Sequence, residues 1–267
     1  MKISFHKSQH PLLKKIVRHF AFQSLDGTGN ANQWMTLFPN CTTNLCITLD
    51  SDLVSNNAGL MNNTISTSCI RPVTFSRLKT IEMAVIQLEP YGFHLLTGLP
   101  MQKYKNRFFQ LDDFFSALVL ENLYQRLYDA SEDVLKIKIL EEFVLAQITT
   151  QAVDDRILFA THQIQQKPDT QLDDLMLHLN LSARRIRDLF ALHIGISPKY
   201  YLRLSRFNHT TNEVSRNNYK SLTEIALAKG YFDQAHFIKE FKEFGGLSPN
   251  QFRKLTEKSA DFYNFEQ

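Results

Sequence analysis

The chain has 267 residues, 43% of them apolar, which is enough for two domains with separate cores. It contains no run of about 18 apolar residues. Its opening MKISFHKSQHPLLKK has no apolar stretch behind the basic residues, so a membrane span and a signal peptide are both excluded and a cytoplasmic protein is expected. The net charge of +3 is small but uneven: residues 154–256 hold 15 Lys and Arg against 11 Asp and Glu, a balance that suits a polyanionic partner.

In chain order, a helix is predicted from Pro11 to Phe20. Short apolar–polar alternations in QWMTLFPN, TNLCITLD and TIEMAVIQLEP then read as strands, and SNNAGLMNN reads as a loop. YGFHLLTGLP reads as a short helix closed by Gly98 and Pro100. Cys41 and Cys46 have a spacing that suits a metal, but no second pair completes a site. With Cys69 they are expected as free thiols.

From Asp113 to Thr150 the apolar period becomes helical. Leu120, Leu123 and Leu127 share one face, and Leu135, Ile139, Phe143 and Ala146 another. The break falls at DASED, where Ser131 is a candidate cap. These two helices either pack on the strand domain or form a subunit interface.

Beyond Asp154 nothing reads as a strand, and helix starts crowd together: Thr170, Ser182, Ser197-Pro198, Ser221, Asp233 and Ser248-Pro249. Each places a capping oxygen beside unpaired backbone N–H groups, and Pro loses nothing at a first helical position. The region also repeats itself. GISPKYYLRL at Gly195 returns 51 residues later as GLSPNQFRKL at Gly246, and LDDLMLHLNLSARRIRDLF aligns upstream with LTEIALAKGYFDQAHFIKEF. Each copy is a helix, a short turn, a second helix and a Ser-Pro start, which is a helix-turn-helix arrangement. Leu175, Leu179, Ile186 and Leu189 are the expected core of the first copy, and Ile225, Leu227, Phe237 and Phe241 of the second. Asn180 and Gly230 occupy the sharp turns, where a left-handed backbone is required.

Residues 155–254 resemble the DNA-binding domain of the AraC/XylS-type transcriptional regulators. The resemblance is densest in SLTEIALAKGYFDQAHFIKEFKEFGGLSPNQFR, through Ile225-Ala226, Gly230-Tyr231, Asp233-Gln234, His236-Phe237, Phe241 and Ser248-Pro249. It implies two helix-turn-helix units joined by a long helix from Pro198 to Val214, with both reading helices in successive major-groove segments of one duplex. On this resemblance Arg184, Arg187 and Asp188 face bases and Arg185 a phosphate. Asp188 departs from the family's usual Arg and is expected either to accept from a cytosine amino group or, as the favoured reading, to pair with Arg184 or Arg185. In the second unit Gln234, Ala235, His236, Ile238 and Lys239 lie near the groove. Gln234 suits adenine, Lys239 guanine or phosphate, and Ile238 a thymine methyl. His236 serves either backbone contact or packing. Ser221 and Ser248 are candidate phosphate clamps.

The N-terminal half resembles, more loosely, the sensor domain of one branch of these regulators, through IEMAVIQLEPYGFHLLTGLPMQKYKNRFFQLDDFF and HPLLKKIVRHFAFQ. The expected fold is therefore α+β. A β-rich cupin-like sandwich with flanking helices occupies residues 1–112, a two-helix linker or dimerisation segment 113–152, the all-α DNA-binding domain 153–256, and a tail 257–267. Trp34, Phe38 and Arg71 are the candidate lining of a ligand pocket. No nucleophile–base constellation, Gly-rich phosphate loop or His-rich strand motif occurs, so neither enzymatic activity nor a metal or cofactor is expected. Double-stranded DNA is the expected partner, with RNA polymerase, a small-molecule effector and a second copy of the chain as further candidates.

Overall fold

The computed structural model describes residues 2–25, 34–48, 53–55, 59–60, 63–67, 71–77, 81–149, 152–215 and 221–258. In the N-terminal half the strands are β1 (Lys2–His6), β2 (Val17–Leu25), β3 (Trp34–Leu37), β4 (Thr43–Thr48), β5 (Leu53–Ser55), β6 (Gly59–Leu60), β7 (Thr64–Ser66), β8 (Val73–Arg77), β9 (Ile81–Leu88) and β10 (Phe108–Gln110). Among the described residues they form two antiparallel sheets, ordered β1-β2-β9-β4-β7-β10 and β3-β8-β5-β6. Helix α1 (Gly92–Thr97) follows β9; α2 (Ala117–Asp129) and α3 (Asp133–Gln147) follow β10.

The near-continuous apolar run of β9 has a simple cause: the strand is covered on both faces. Ala84, Ile86 and Leu88 join Phe20, Leu45 and Ile65 in a core closed by α2 and α3. Met83 and Val85, pointing the other way, join Ala21 and Val73 in a smaller core between the sheets. The sandwich is as expected, but several of its elements are not. Pro11–Phe20 is no helix. Only Leu13–Lys15 makes a tight 3-10 turn, and Val17 already begins β2, which pairs with both β1 and β9. That two-sided pairing outweighs the helical spacing of the apolar residues. Part of SNNAGLMNN is strand rather than loop, since Val54 and Ser55 pair with Leu60 and Gly59. Cys41 and Cys46 are free thiols; Cys69 lies outside the described residues.

The predicted faces of the helix pair are partly rotated. Leu120, Leu123 and Leu127 are buried as expected. On α3 the buried stripe is Ile139, Leu140, Phe143 and Val144, while Leu135 and Ala146 are exposed. Glu132 is the N-cap residue, without a side-chain cap, so Ser131 does not cap this helix. Gly98 does close α1, in the left-handed conformation at φ 69°.

The C-terminal half is helical throughout its described residues: α4 (Asp155–Gln166), α5 (Leu172–His178), α6 (Ala183–His193), α7 (Pro198–Ser215), α8 (Leu222–Ala228), α9 (Gln234–Gly245) and α10 (Pro249–Lys258). Ser182, Ser197, Ser221, Asp233 and Ser248 each accept a backbone N–H of the helix they start, at 2.7–3.3 Å. Thr170 does not: its hydroxyl donates to the Lys167 carbonyl and closes the turn after α4. The core of this half takes in Phe38, Cys41 and Tyr91 from the sandwich, so the two halves share apolar packing. Among the described residues no helix is long and apolar enough to cross a membrane.

Candidate nucleic-acid interface

Two helix pairs, α5–α6 and α8–α9, are built alike. In each turn one residue takes the left-handed backbone, Asn180 at φ 51° and Gly230 at φ 72°, so the chain reverses within a few residues. The second helix of each pair then buries one face. On α6 these are Ile186, Leu189, Phe190 and His193, and on α9 Phe237, Glu240, Phe241 and Phe244. The first helices contribute Leu175 and Ile225-Ala226. Leu179 is half-buried, whereas Leu227, expected in the second core, is 61% exposed. Ala226 faces inward beside Ile225, which turns the Leu227 side chain to the outside.

On the outer face of α6, Arg184, Arg185, Arg187 and Asp188 are all exposed. Asp188 lies 3.9 Å from the Arg184 guanidinium, one helical turn away. Arg187 folds back and donates from Nε to the Ala183 carbonyl at 2.8 Å. Arg185 has its backbone N–H on the Ser182 hydroxyl and its side chain outside.

The outer face of α9 carries less charge. Gln234, Ala235, His236 and Lys239 are exposed, and Ile238 is half-buried against the core. Gln234 is not free: its Oε1 accepts the Thr223 hydroxyl of α8 at 2.8 Å. His236 serves its own unit, with Nδ1 accepting the Phe232 backbone N–H at 3.3 Å and Nε2 lying 3.6 Å from Glu240. Ser221 and Ser248, the candidate clamps, both act as helix caps. Ser248 is the more fully engaged: its hydroxyl and its backbone N–H both donate to the Gln251 Oε1, at 2.8 and 2.9 Å.

The connecting helix α7 holds the second unit through two arginines that sequence reasoning had not singled out. Arg203 donates to the buried Glu240 at 2.9 Å and to Glu243 at 2.6 Å, and its guanidinium lies 5.1 Å from the Phe244 ring centre. Arg206 donates to the Gly230 carbonyl at 2.8 Å, in the turn itself, and lies over Tyr231. Lys229 pairs with Glu213 beside them. On the other side, α7 meets α4 through Gln165 donating to the Tyr201 hydroxyl and Ser205 donating to the Ile164 carbonyl. These contacts join residues about 15–40 positions apart, and no local spacing announces them.

The first unit is held by the sandwich. His193, at the end of α6, packs edge-on to His94 of α1 with ring centres 4.6 Å apart, both side chains buried. Burial, with the neighbouring His94 adding to it, lowers the His193 pKa to about 4, so the ring is neutral. Just beyond, Gly195 has φ +90°, and a Cβ there would sit 2.6 Å from the Met101 carbonyl oxygen. Cys41 and Asn208 meet at α7, and Phe38 packs edge-on to Phe252 of α10 at 5.1 Å. Phe38 is therefore part of the seam between the halves. Arg71 is exposed, and the Trp34 side chain lies outside the described residues.

Residues 175–255 match a family described as a helix-turn-helix domain. The chain is 32% identical over 133 residues to an uncharacterized HTH-type transcriptional regulator of Haemophilus influenzae, covering 47% of this chain and 44% of that protein. It is 30% identical over 87 residues to the melibiose operon regulatory protein of Escherichia coli K12, covering 33% and 28%. It is 31% identical over 131 residues to the raffinose operon transcriptional regulatory protein RafR of Pediococcus pentosaceus, covering 48% and 42%. Each match thus spans less than half the length of the relative. Among solved structures, the C-terminal domain of AraT, a response regulator from Geobacillus stearothermophilus, is 26% identical with a TM-score of 0.37, over 39% of this chain and 88% of that one. ToxT from Vibrio cholerae O395 is 12% identical with a TM-score of 0.47, over 89% and 99%. With its paired units and the signature residues between Ile225 and Pro249, the stretch 175–255 of this chain is an AraC-type helix-turn-helix domain.

Proposed function

We propose that the chain is a sequence-specific regulator of transcription that lays α6 and α9 into successive major-groove segments of one DNA duplex. The observation that carries this reading is the repeated division of labour on those two helices. One face of each is buried in its unit, and the other presents Arg184, Arg185, Arg187 and Asp188, or Gln234, Ala235, Ile238 and Lys239. A major groove admits such a helix, and Arg, Gln and Lys carry the donors that read base edges. Arg184 reads a base with Asp188 steadying its guanidinium, Arg185 holds a phosphate, and Ser221 keeps a hydroxyl proton for another. Selection of bound fragments from a random DNA pool tests this. Two blocks of fixed bases about 10 base pairs apart, centre to centre, are the expected result; a pool that stays random would overturn the reading.

Modulation through the sandwich is the second part of the reading. The face of β9, β4 and β7 turned toward the second sheet carries a buried polar ladder: Gln87 donates to Asn44 at 3.1 Å, and Asn44 to Ser66 at 3.2 Å. Gln23 sits on the same face of β2 with neither amide atom hydrogen-bonded among the described residues. Unsatisfied buried amides are costly, and a polar, hydroxyl-bearing effector would satisfy them. The relatives named for the melibiose and raffinose operons support an effector of that chemistry. The alternative, control by a protein partner or by abundance alone, predicts that Gln23→Ala leaves regulation in cells unchanged. RNA polymerase and a second copy of the chain, meeting through the exposed Leu118, Tyr128 and Val134 of α2 and α3, complete the proposed partners.

A further inference from the structure

We propose that Thr223, on the first helix of the second unit, decides which base Gln234 reads, and that it directs Gln234 to guanine rather than adenine. The inference rests on the DNA-binding reading above and deepens it. To read adenine, a glutamine amide must donate to N7 and accept from the N6 amino group, with oxygen and nitrogen side by side along the base edge. In this chain the oxygen is held elsewhere, because Gln234 Oε1 accepts the Thr223 hydroxyl at 2.8 Å. That contact turns the oxygen toward α8 and leaves the amino group, with its two N–H donors, as the outward part of the amide. Guanine is the base whose major-groove edge presents two acceptors, N7 and O6.

The two side chains are set by the frame of the unit rather than by chance approach. Asp233 caps the first turn of α9 on the His236 N–H at 2.7 Å, immediately before Gln234. Ser221 caps α8 on the Glu224 N–H at 3.1 Å, two residues before Thr223. The turn between the helices is fixed by Gly230 at φ 72° and by Arg206 on the Gly230 carbonyl. Both side chains are exposed, so the hydrogen bond lies on the outer surface where a duplex would approach. The first unit has no counterpart: the equivalent positions are Asp173 and Ala183. Base choice at this position is thus a property of one unit.

The test is selection from a random DNA pool with the full-length protein and three variants. Wild type should enrich guanine at one position in the block bound by the second unit. Thr223→Val keeps the β-branched shape but removes the hydroxyl. It should weaken that guanine preference at least about fivefold, in favour of adenine, and leave every other position alone. Thr223→Ser should restore it, and Gln234→Ala should erase any preference at the same position. Adenine already enriched by wild type there, or a Thr223→Val profile identical to wild type, would overturn this inference while sparing the DNA-binding reading. Failure of wild type to enrich any sequence would overturn both.

Discussion

The two helix-turn-helix units share a scaffold and differ in what holds them. Asn180 and Gly230 make the same turn, Phe190 and Phe241 fill the same core position, and Ser-Pro starts the next helix in both. Yet α6 ends against the sandwich, at His94 and Met101, whereas α9 is bolted to α7 by Arg203. Their outer faces differ as well, one rich in arginine and the other carrying less charge. A duplicated fold therefore yields two readers with separate anchors. The N-terminal half touches the first unit directly, and touches α7 through Cys41 and α10 through Phe38.

The sharpest way to break this contrast is to remove the anchor of the second unit. Arg203→Ala leaves the Glu240 carboxylate buried without its main cation, a change that typically costs about 3–5 kcal/mol. Urea unfolding should show that loss, and Glu243→Ala, which touches only the exposed end of the network, should cost well under half as much.

The anchor of the first unit should instead answer to pH. His193 has its folded pKa lowered to about 4 from 6.5, chiefly by burial and next by His94, with Asp154 opposing and Arg185 adding. The unfolded chain then binds more protons between those values, so stability is full above about pH 6.5 and is lost as pH falls toward 4. The shift corresponds to up to about 3 kcal/mol. His19, lowered to about 4 by burial with Arg18 and Lys7 adding, contributes in the same direction. Unfolding followed across that range should show a shallower acid loss in His193→Gln; an unchanged slope would detach His193 from the effect.

On DNA, Arg184→Ala should relax preference at one base pair of the first block by about 1–3 kcal/mol. Arg185→Ala should weaken all sequences alike and reduce the salt slope by about 1. Identical profiles for the two on a randomised operator library would dissolve the distinction between reading and holding. The smallest effect is expected at a cap: Ser248→Ala should lower stability by about 1 kcal/mol in thermal unfolding.

Much of this architecture was legible because its signals are local. A capping serine, a Pro at a first helical position and a Gly in a left-handed turn act within a few residues of themselves, so the starts at Ser182, Ser197, Ser221, Asp233 and Ser248 could be placed from sequence, though not the one at Thr170. The exposed faces of α6 and α9 followed from the repeat. What escaped was set by distant partners. Residues 17–20 have a helical spacing of apolar side chains but pair with β9, some 70 positions away. Leu135 and Leu227 look like core residues in isolation, yet neighbours in the fold leave the inward positions to Leu140 and Ala226. Arg203, Arg206 and the His94–His193 contact draw on residues tens of positions apart. The same holds for Thr223 and Gln234, whose closeness depends on the turn between α8 and α9.

The central claim is that one chain places two readers at a fixed separation on one duplex, and the most direct measurement is binding to a selected site lengthened at its middle. Inserting 5 base pairs, about half a helical turn, between the two blocks rotates one to the opposite face of the DNA. Affinity should then fall to that of a single block, and inserting a full turn should not restore it, because α7 fixes the span as well as the facing. Unchanged affinity for either lengthened site would contradict a rigid pair of readers.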